Sequence, residues 1–350
     1  MTDPRPTRPV HVAQLTRRPH RNEQFSIERV FATVRAAMPA DVRVSVVEAS
    51  ERSHGVLPRV RSVLAARQAV RRLDADVEHV TGDVHFLVFG LHARRTVLTI
   101  HDTEFMDRAS TLKRWIYRAL WLRLPVARAA AITVVSAQTG ADLVRHAPRA
   151  ATKIRIVPNP LPAGYAPEAK PFPASRPTIL QIGTRPNKNL ERVVAALEGI
   201  DCRLWILGPL APHQVGALER AGVDYEQWSD LADHEVVARY RDCDLVVFAS
   251  TREGFGLPII EANAIGRPVV TSAIEPMRGV AGDAAELVDP TDVASIRAGI
   301  GRVIDDATHR ESLVTRGFLN AQRFGANEVA RAYRDVYLDV AERAGRTRRR

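Results

Sequence analysis

Short β-branched runs alternate with helically spaced ones along most of the chain, and the series occurs twice. In the first half Val10–Leu15, Val42–Ala49, Thr96–Asp102, Ala131–Ala137 and Lys153–Asn159 read as strands. In the second half Thr178–Gly183, Cys202–Gly208, Val223–Trp228, Asp244–Ser250, Pro268–Ala273 and Ala285–Asp289 do so. Strands separated by helices pair in parallel, because a crossover is long enough to bring the chain back to the same edge. The expected class is therefore α/β with two doubly wound sheets. Helices are expected over Thr111–Arg128, with Trp115, Ile116, Leu120 and Leu124 on one side, and over Asn189–Glu198, Pro212–Ala221, His234–Arg241, Pro258–Ile265, Asp292–Asp305, Thr308–Phe324 and Asn327–Ala344. Between the two series seven prolines fall within Pro158–Pro177. Proline fixes φ and lacks the backbone donor, so neither helix nor sheet is expected there. Leu161–Arg176 reads as a linker, which sets domains at 1–165 and 176–325 and leaves 326–350 as a final helix with a basic tail.

A chain of 350 residues that is 45% hydrophobic can fill two separate cores. No apolar run is long enough to span a bilayer, and Met1–Leu15 lacks the apolar stretch of a leader, so a cytoplasmic protein is expected. Cys202 and Cys243 each adjoin a hydrophobic run and read as buried free thiols. The net charge of +10 favours anionic partners, either phosphates, nucleic acid or an acidic membrane face. No basic stretch interleaved with aromatics supports nucleic acid. Only four lysines (Lys113, Lys153, Lys170 and Lys188) stand among 50 basic residues.

The stretch STREGFGLPIIEANAIG, Ser250–Gly266, places Glu253 and Glu261 around a glycine-rich turn that opens a short apolar helix. Gly254 and Gly256 permit positive φ and close approach of a ligand to the backbone, and Pro258 suits a first helical turn. The amides of Gly256, Leu257 and Ile259 are placed to hold a phosphate, with the two acids reading hydroxyls on either side of it. The same pattern also fits a surface loop with an acid near a helix start. At the end of TILQIG, Arg185 and Lys188 follow Gly183 at the same sheet edge, as diphosphate ligands or as a solvated basic turn. His101 and Asp102 close the strand TVLTIHD, where His101 fits either a sugar-hydroxyl contact or a structural role. The acid pairs Asp74/Asp76 and Asp242/Asp244 precede strands, at the edge opposite the strand carboxyl ends where ligands bind in such sheets, so no metal is expected.

EGFGLPIIEA followed by GRPVVTS resembles the signature of the retaining glycosyltransferases of family 4, the group 1 enzymes. IGTRPNKN, YRDCDLVVFAS, GDAAELVDPTD, TIHD, VVSAQTGADL and KIRIVPNP extend the likeness from about Thr96 to Asp292. The resemblance implies the GT-B fold, two facing Rossmann-like domains with a cleft between them, the first acceptor-side and the second binding the donor. It implies transfer of a hexose from a nucleotide-diphosphate sugar, GDP-mannose among the candidate donors, to a glycan or lipid-linked hydroxyl acceptor, with retention; no metal or other cofactor is expected. Glu253 then contacts the donor sugar, Glu261 the ribose, and Lys188 with Arg185 the diphosphate. Gly183 and Gly254–Leu257, with Phe255 among them, line the donor, and His101 lies near the transferred sugar. The final helix braces the first domain. A sugar-nucleotide epimerase and a non-catalytic nucleotide-sugar binder of the same fold are the alternatives. The chain departs from the family where the first strand ends, since Arg17, Arg18 and Asn22 stand where a Gly-Gly turn is common. Arg17, Arg18, Arg21, Arg114, Arg118 and Arg123 are expected to face an anionic leaflet, which makes the protein peripheral at the inner face of the cell membrane.

Overall fold

A computed structural model describes residues 8–17, 26–49, 55–103 and 118–348. The chain divides into two compact units, Met1–Pro160 with Ala326–Arg350, and Leu161–Gly325.

In the first unit β1 (Val10–Thr16), β2 (Val42–Glu48), β3 (Val77–Val80), β4 (Thr96–Ile100), β5 (Ala131–Val134) and β6 (Ile154–Ile156) form one sheet in the order β2-β1-β3-β4-β5-β6. All pairings are parallel. The alternating pattern did not reveal β3, because Glu78 and His79 interrupt its apolar run. Both are buried and satisfied from afar. The Glu78 carboxylate accepts the His92 amide at 2.6 Å, and burial raises its pKa above the usual carboxylate range. His79 bonds Tyr337 Oη at 2.8 Å and Thr99 Oγ1 at 2.7 Å. Tyr337 belongs to the final helix, Ala326–Arg348, which buries Tyr333 and Tyr337 against Phe31 and His79 and pairs Arg334 with Asp41. Three aromatic rings and a histidine thus fix that helix onto the first sheet.

In the second unit β7 (Thr178–Ile182), β8 (Arg203–Leu207), β9 (Asp224–Trp228), β10 (Leu245–Phe248), β11 (Val269–Ser272) and β12 (Glu286–Val288) form a parallel sheet in the order β12-β11-β10-β7-β8-β9. β10 and β11 are buried along their whole length, as their unbroken apolar runs require of strands covered on both faces. The chain first builds outward from β7 to β9, then returns to the other side of β7 and builds from β10 to β12. Strand order therefore reverses between β7 and β10, and in open α/β sheets ligands bind outside the carboxyl ends at that point.

As expected, Leu161–Arg176 contains no helix or strand, and it is strapped onto the second unit. Tyr165 is buried edge-on to Tyr240, with ring centroids 5.4 Å apart, and the Glu168 amide donates to Ile265 O at 3.0 Å. Lys170 pairs with the buried Asp244 at 2.6 Å, and Arg310 lies 3.9 Å over the Phe172 ring. The prolines exclude regular structure but not packing. In the helix expected over Thr111–Arg128, Leu120 and Leu124 are exposed, whereas Leu122 and Val126 are fully buried. The turns over Arg118–Arg123 are wider than α-helical, which rotates the buried face away from the 3.6-residue prediction. Trp115 and Ile116 lie outside the described residues.

Candidate functional site

Two loops leave the carboxyl ends of β7 and β10, the neighbouring strands at the reversal point. The first runs Gly183–Asn189. Gly183 has φ +85°, and a Cβ there would come within 2.9 Å of Lys188 Cγ, so glycine lets the lysine chain fold back over the strand end. The second loop runs from Ser250 to Gly256 and enters the helix Leu257–Ile265 through Gly256, at φ +115°. A Cβ on Gly256 would lie 3.1 Å from Ile259 Cδ1, beyond the strain of its φ.

These loops bring Lys188 and Glu253 together. Lys188 Nζ donates to Glu253 Oε1 at 2.6 Å, with both side chains mostly buried at 19% and 14% exposure. The ammonium also sits 4.8 Å from the centroid of the Phe248 ring. A cation held this way is desolvated enough to interact strongly with an anion, and it stays beside the acid that balances it. The Thr251 amide donates to Asn187 O at 2.8 Å, and Asn187 Nδ2 donates to Arg252 O at 3.0 Å, so the two loops are laced at the backbone.

Glu261 lies one turn into the helix and is only 4% exposed. Its Oε2 accepts from the fully buried Tyr240 hydroxyl at 2.7 Å. Burial first, then the Glu261 charge, push the Tyr240 pKa well above its ordinary value, so this phenol is a fixed donor.

The Ile259 amide is not free for a phosphate, because it donates to Gly256 O at 3.1 Å within the first turn. Phe255, expected to line the donor, is buried edge-on to Phe324 with centroids 5.5 Å apart, and it anchors the loop. Arg185 is exposed at the start of the short turn Pro186–Lys188 and does not join the Lys188–Glu253 pair. In the first unit, His101 follows β4 and its Nε2 donates to Thr81 O at 2.9 Å, leaving Nδ1 as the nitrogen that can accept. Arg17 is engaged by Glu28 at 2.5 Å, while Arg18 and Asn22 lie outside the described residues.

Three polar residues of the site were not foreseen. Asn189, in a left-handed conformation, donates from Nδ2 to Ala249 O at 2.9 Å and Pro290 O at 2.7 Å, pinning the β7 loop to β10. Gln181 donates to Lys188 O at 3.0 Å, and Gln214 to Thr184 O at 2.8 Å. An asparagine just before a helix was a usable signal for the first; the glutamines carried none.

One acid of each pair holds the fold together. Asp76 accepts the His11 amide and pairs with Arg8, and Asp244 accepts the Thr178 amide and pairs with Lys170. Among the described residues no group of three or more His, Cys, Asp or Glu is gathered as a metal would need. Cys202 and Cys243 are buried free thiols, and burial raises their pKa values to about 11 and about 12.

Residues 10–163 match the family model Glycosyltransferase Family 4, and residues 166–319 match Glycosyl transferases group 1. The chain belongs to the family 4, group 1 glycosyltransferases. Among relatives of this family, the O-antigen chain mannosyltransferase B of Escherichia coli is 39% identical over 92 residues, covering 26% of this chain and 24% of that protein. The D-inositol 3-phosphate glycosyltransferase of Thermobispora bispora is 27% identical over 231 residues, covering 62% of this chain and 52% of the relative. The matches thus span about half of these relatives or less. Among solved structures, sucrose-phosphate synthase from Thermosynechococcus elongatus superposes with a TM-score of 0.75 at 19% identity, covering 95% and 99% of the two chains. WaaG, described as a glycosyltransferase of lipopolysaccharide biosynthesis, does so at 0.68 and 16%, covering 93% and 99%. Anabaena HepE, solved with UDP and glucose, gives 0.75 at 15%, covering 93% and 99%. The fold is that of these glycosyltransferases, the two-domain α/β arrangement called GT-B.

Proposed function

We propose that this glycosyltransferase moves a hexose from a nucleoside diphosphate to a hydroxyl acceptor, with retention at the anomeric carbon. The single observation that carries the reading is the Lys188–Glu253 pair at the reversal point of the second sheet. A departing diphosphate is the principal charge that transfer must stabilise, and a preorganised cation in a partly desolvated site does this most strongly. Lys188 takes the diphosphate, joined by Arg185 and by the amides of Gly256 and Leu257. Glu253 contacts the transferred sugar, and Glu261 contacts the ribose in the orientation Tyr240 gives it. His101, with Nε2 committed to Thr81, accepts a sugar hydroxyl at Nδ1. Attack from the face the leaving group departs lets the leaving phosphate take the acceptor proton, so no further carboxylate nucleophile is needed. Since protein groups carry the phosphate charge, turnover is independent of a divalent metal.

The mannosyltransferase relative and the UDP-bound structural neighbour support a nucleotide-sugar donor, with GDP-mannose and UDP-hexoses the first to try. The acceptor is a lipid-linked or growing polysaccharide handled at an anionic membrane surface. Thermal melts with UDP, GDP, dTDP and ADP identify the base, because a ligand at about 100 times its Kd stabilises by roughly 2.7 kcal/mol. Proton NMR of the product made from the matching sugar donor then reads the anomer. Inversion, or epimerised free donor without acceptor, overturns the proposal.

A further inference from the structure

The helix Val56–Leu73 of the first unit turns its small residues inward, burying Ser62, Ala66 and Val70. Its outward stripe is apolar in the first half, where Leu57, Val60 and Leu64 are 73%, 49% and 58% exposed. The spacing 57, 60, 64 continues along the same face into the exposed Arg67, Arg71 and Arg72, with Arg61 beside Val60. No acid occurs between Val56 and Leu73; the first, Asp74, ends the helix. Arg61, Arg67, Arg71 and Arg72 make no ion pair among the described residues, in contrast to Arg59, which stacks 4.1 Å over the Trp121 ring. Single exposed aliphatics are ordinary, but an aliphatic stripe running into a basic stripe on one helix is not.

We propose that this face docks on an anionic lipid bilayer. Leu57, Val60 and Leu64 enter the boundary between headgroups and acyl chains, and Arg61, Arg67, Arg71 and Arg72 lie on lipid phosphates. The partner follows from complementarity. Unpaired guanidiniums want phosphates, and exposed aliphatics want hydrocarbon; a bilayer surface offers both within one helix width. The stripe holds no aromatic ring on which bases of a single strand could stack. Of the arginines expected from sequence to face a leaflet, two have described side chains. Arg17 is held by Glu28, and Arg123 donates to His146 O. Arg18, Arg21, Arg114 and the Arg118 side chain lie outside the described residues.

The inference draws its purpose from the reading of a membrane-held acceptor, but its test needs neither donor nor acceptor, so failure of one is separable from failure of the other. The full chain is floated with phosphatidylcholine vesicles with and without phosphatidylglycerol. Binding is expected only with phosphatidylglycerol, and salt weakens it. Arg67→Gln/Arg71→Gln/Arg72→Gln lowers affinity about 100-fold, at roughly fivefold per basic side chain. Leu57→Ser/Val60→Ser/Leu64→Ser weakens it about tenfold, and Leu57→Ser alone measurably, with melting temperatures unchanged because all are exposed. Four results overturn the proposal: no vesicle binding at low salt, equal binding to neutral vesicles, wild-type binding by either triple variant, or tighter binding to single-stranded RNA than to vesicles.

Discussion

Replacing Tyr240 by Phe removes one oxygen from the core of the second unit and tests whether Glu261 is held for a purpose. The hydroxyl donates to Glu261 Oε2 at 2.7 Å, the tyrosine is fully buried, and the glutamate is only 4% exposed. A hydrogen bond to a charged group contributes about 1.5–3 kcal/mol, so stability of the unit should fall by about 2 kcal/mol. If Glu261 meets the ribose in the orientation this bond sets, part of the loss reappears in binding. About 1–2 kcal/mol there is roughly a 5–30-fold rise in nucleotide Kd. Calorimetric titration with the preferred nucleoside diphosphate and with its nucleoside should show the same factor for both, because the ribose is common to them. Glu261→Gln and the double variant complete a cycle. A residue that acts through Glu261 has little left to lose once the carboxylate is gone, so the double variant should fall short of additivity by about 1 kcal/mol or more. Lost stability with unchanged Kd, or full additivity, would make Tyr240 a packing residue and refute the reasoning.

Lys188→Ala should weaken nucleoside diphosphate by roughly 10–100-fold and the nucleoside hardly at all, since the lost contact is to phosphate; equal weakening measured by titration removes the lysine from the diphosphate site. Turnover should survive EDTA undiminished, and loss restored by Mg²⁺ or Mn²⁺ in a product assay contradicts the metal-free reading. Burial lowers the His79 pKa from 6.5 to about 3, so the fold keeps it neutral while the unfolded chain protonates below pH 6.5. Stability from this group is therefore intact above pH 6.5 and falls as pH drops toward 3, by about 2 kcal/mol between pH 7 and pH 5. Urea titrations at the two pH values check this, and a His79→Gln variant with the same pH slope refutes it. Gly183→Ala should lower donor affinity together with stability, because its Cβ meets the Lys188 chain at 2.9 Å and φ is +85°; unchanged donor titration and melting temperature remove the strain argument.

The sequence by itself determined the layer architecture and singled out the candidate site residues. Strand β10 and the helix Leu257–Ile265 were legible because their apolar runs and the intervening glycines and proline are local signals, decided by nearest neighbours in the chain. Glu253 and Lys188 stood out by residue type in loops that follow strands, and Glu261 in the first turns of the helix after one of them. The meeting of Lys188 with Glu253, 65 positions apart, was decided only by the reversal of strand order that puts β7 beside β10. Tertiary structure likewise made a strand of β3, whose Glu78 and His79 are burdens in any local reading and become tolerable through His92, Thr99 and Tyr337. It turned a proline-rich stretch into a strap under Tyr240, and it turned Leu57 and Leu64 of the helix Val56–Leu73 outward. Periodicity marks a helix's faces, but which face is buried depends on the volume its neighbours leave open. The small side chains of Ser62, Ala66 and Val70 fit against the sheet side, and the larger ones were left to the surface.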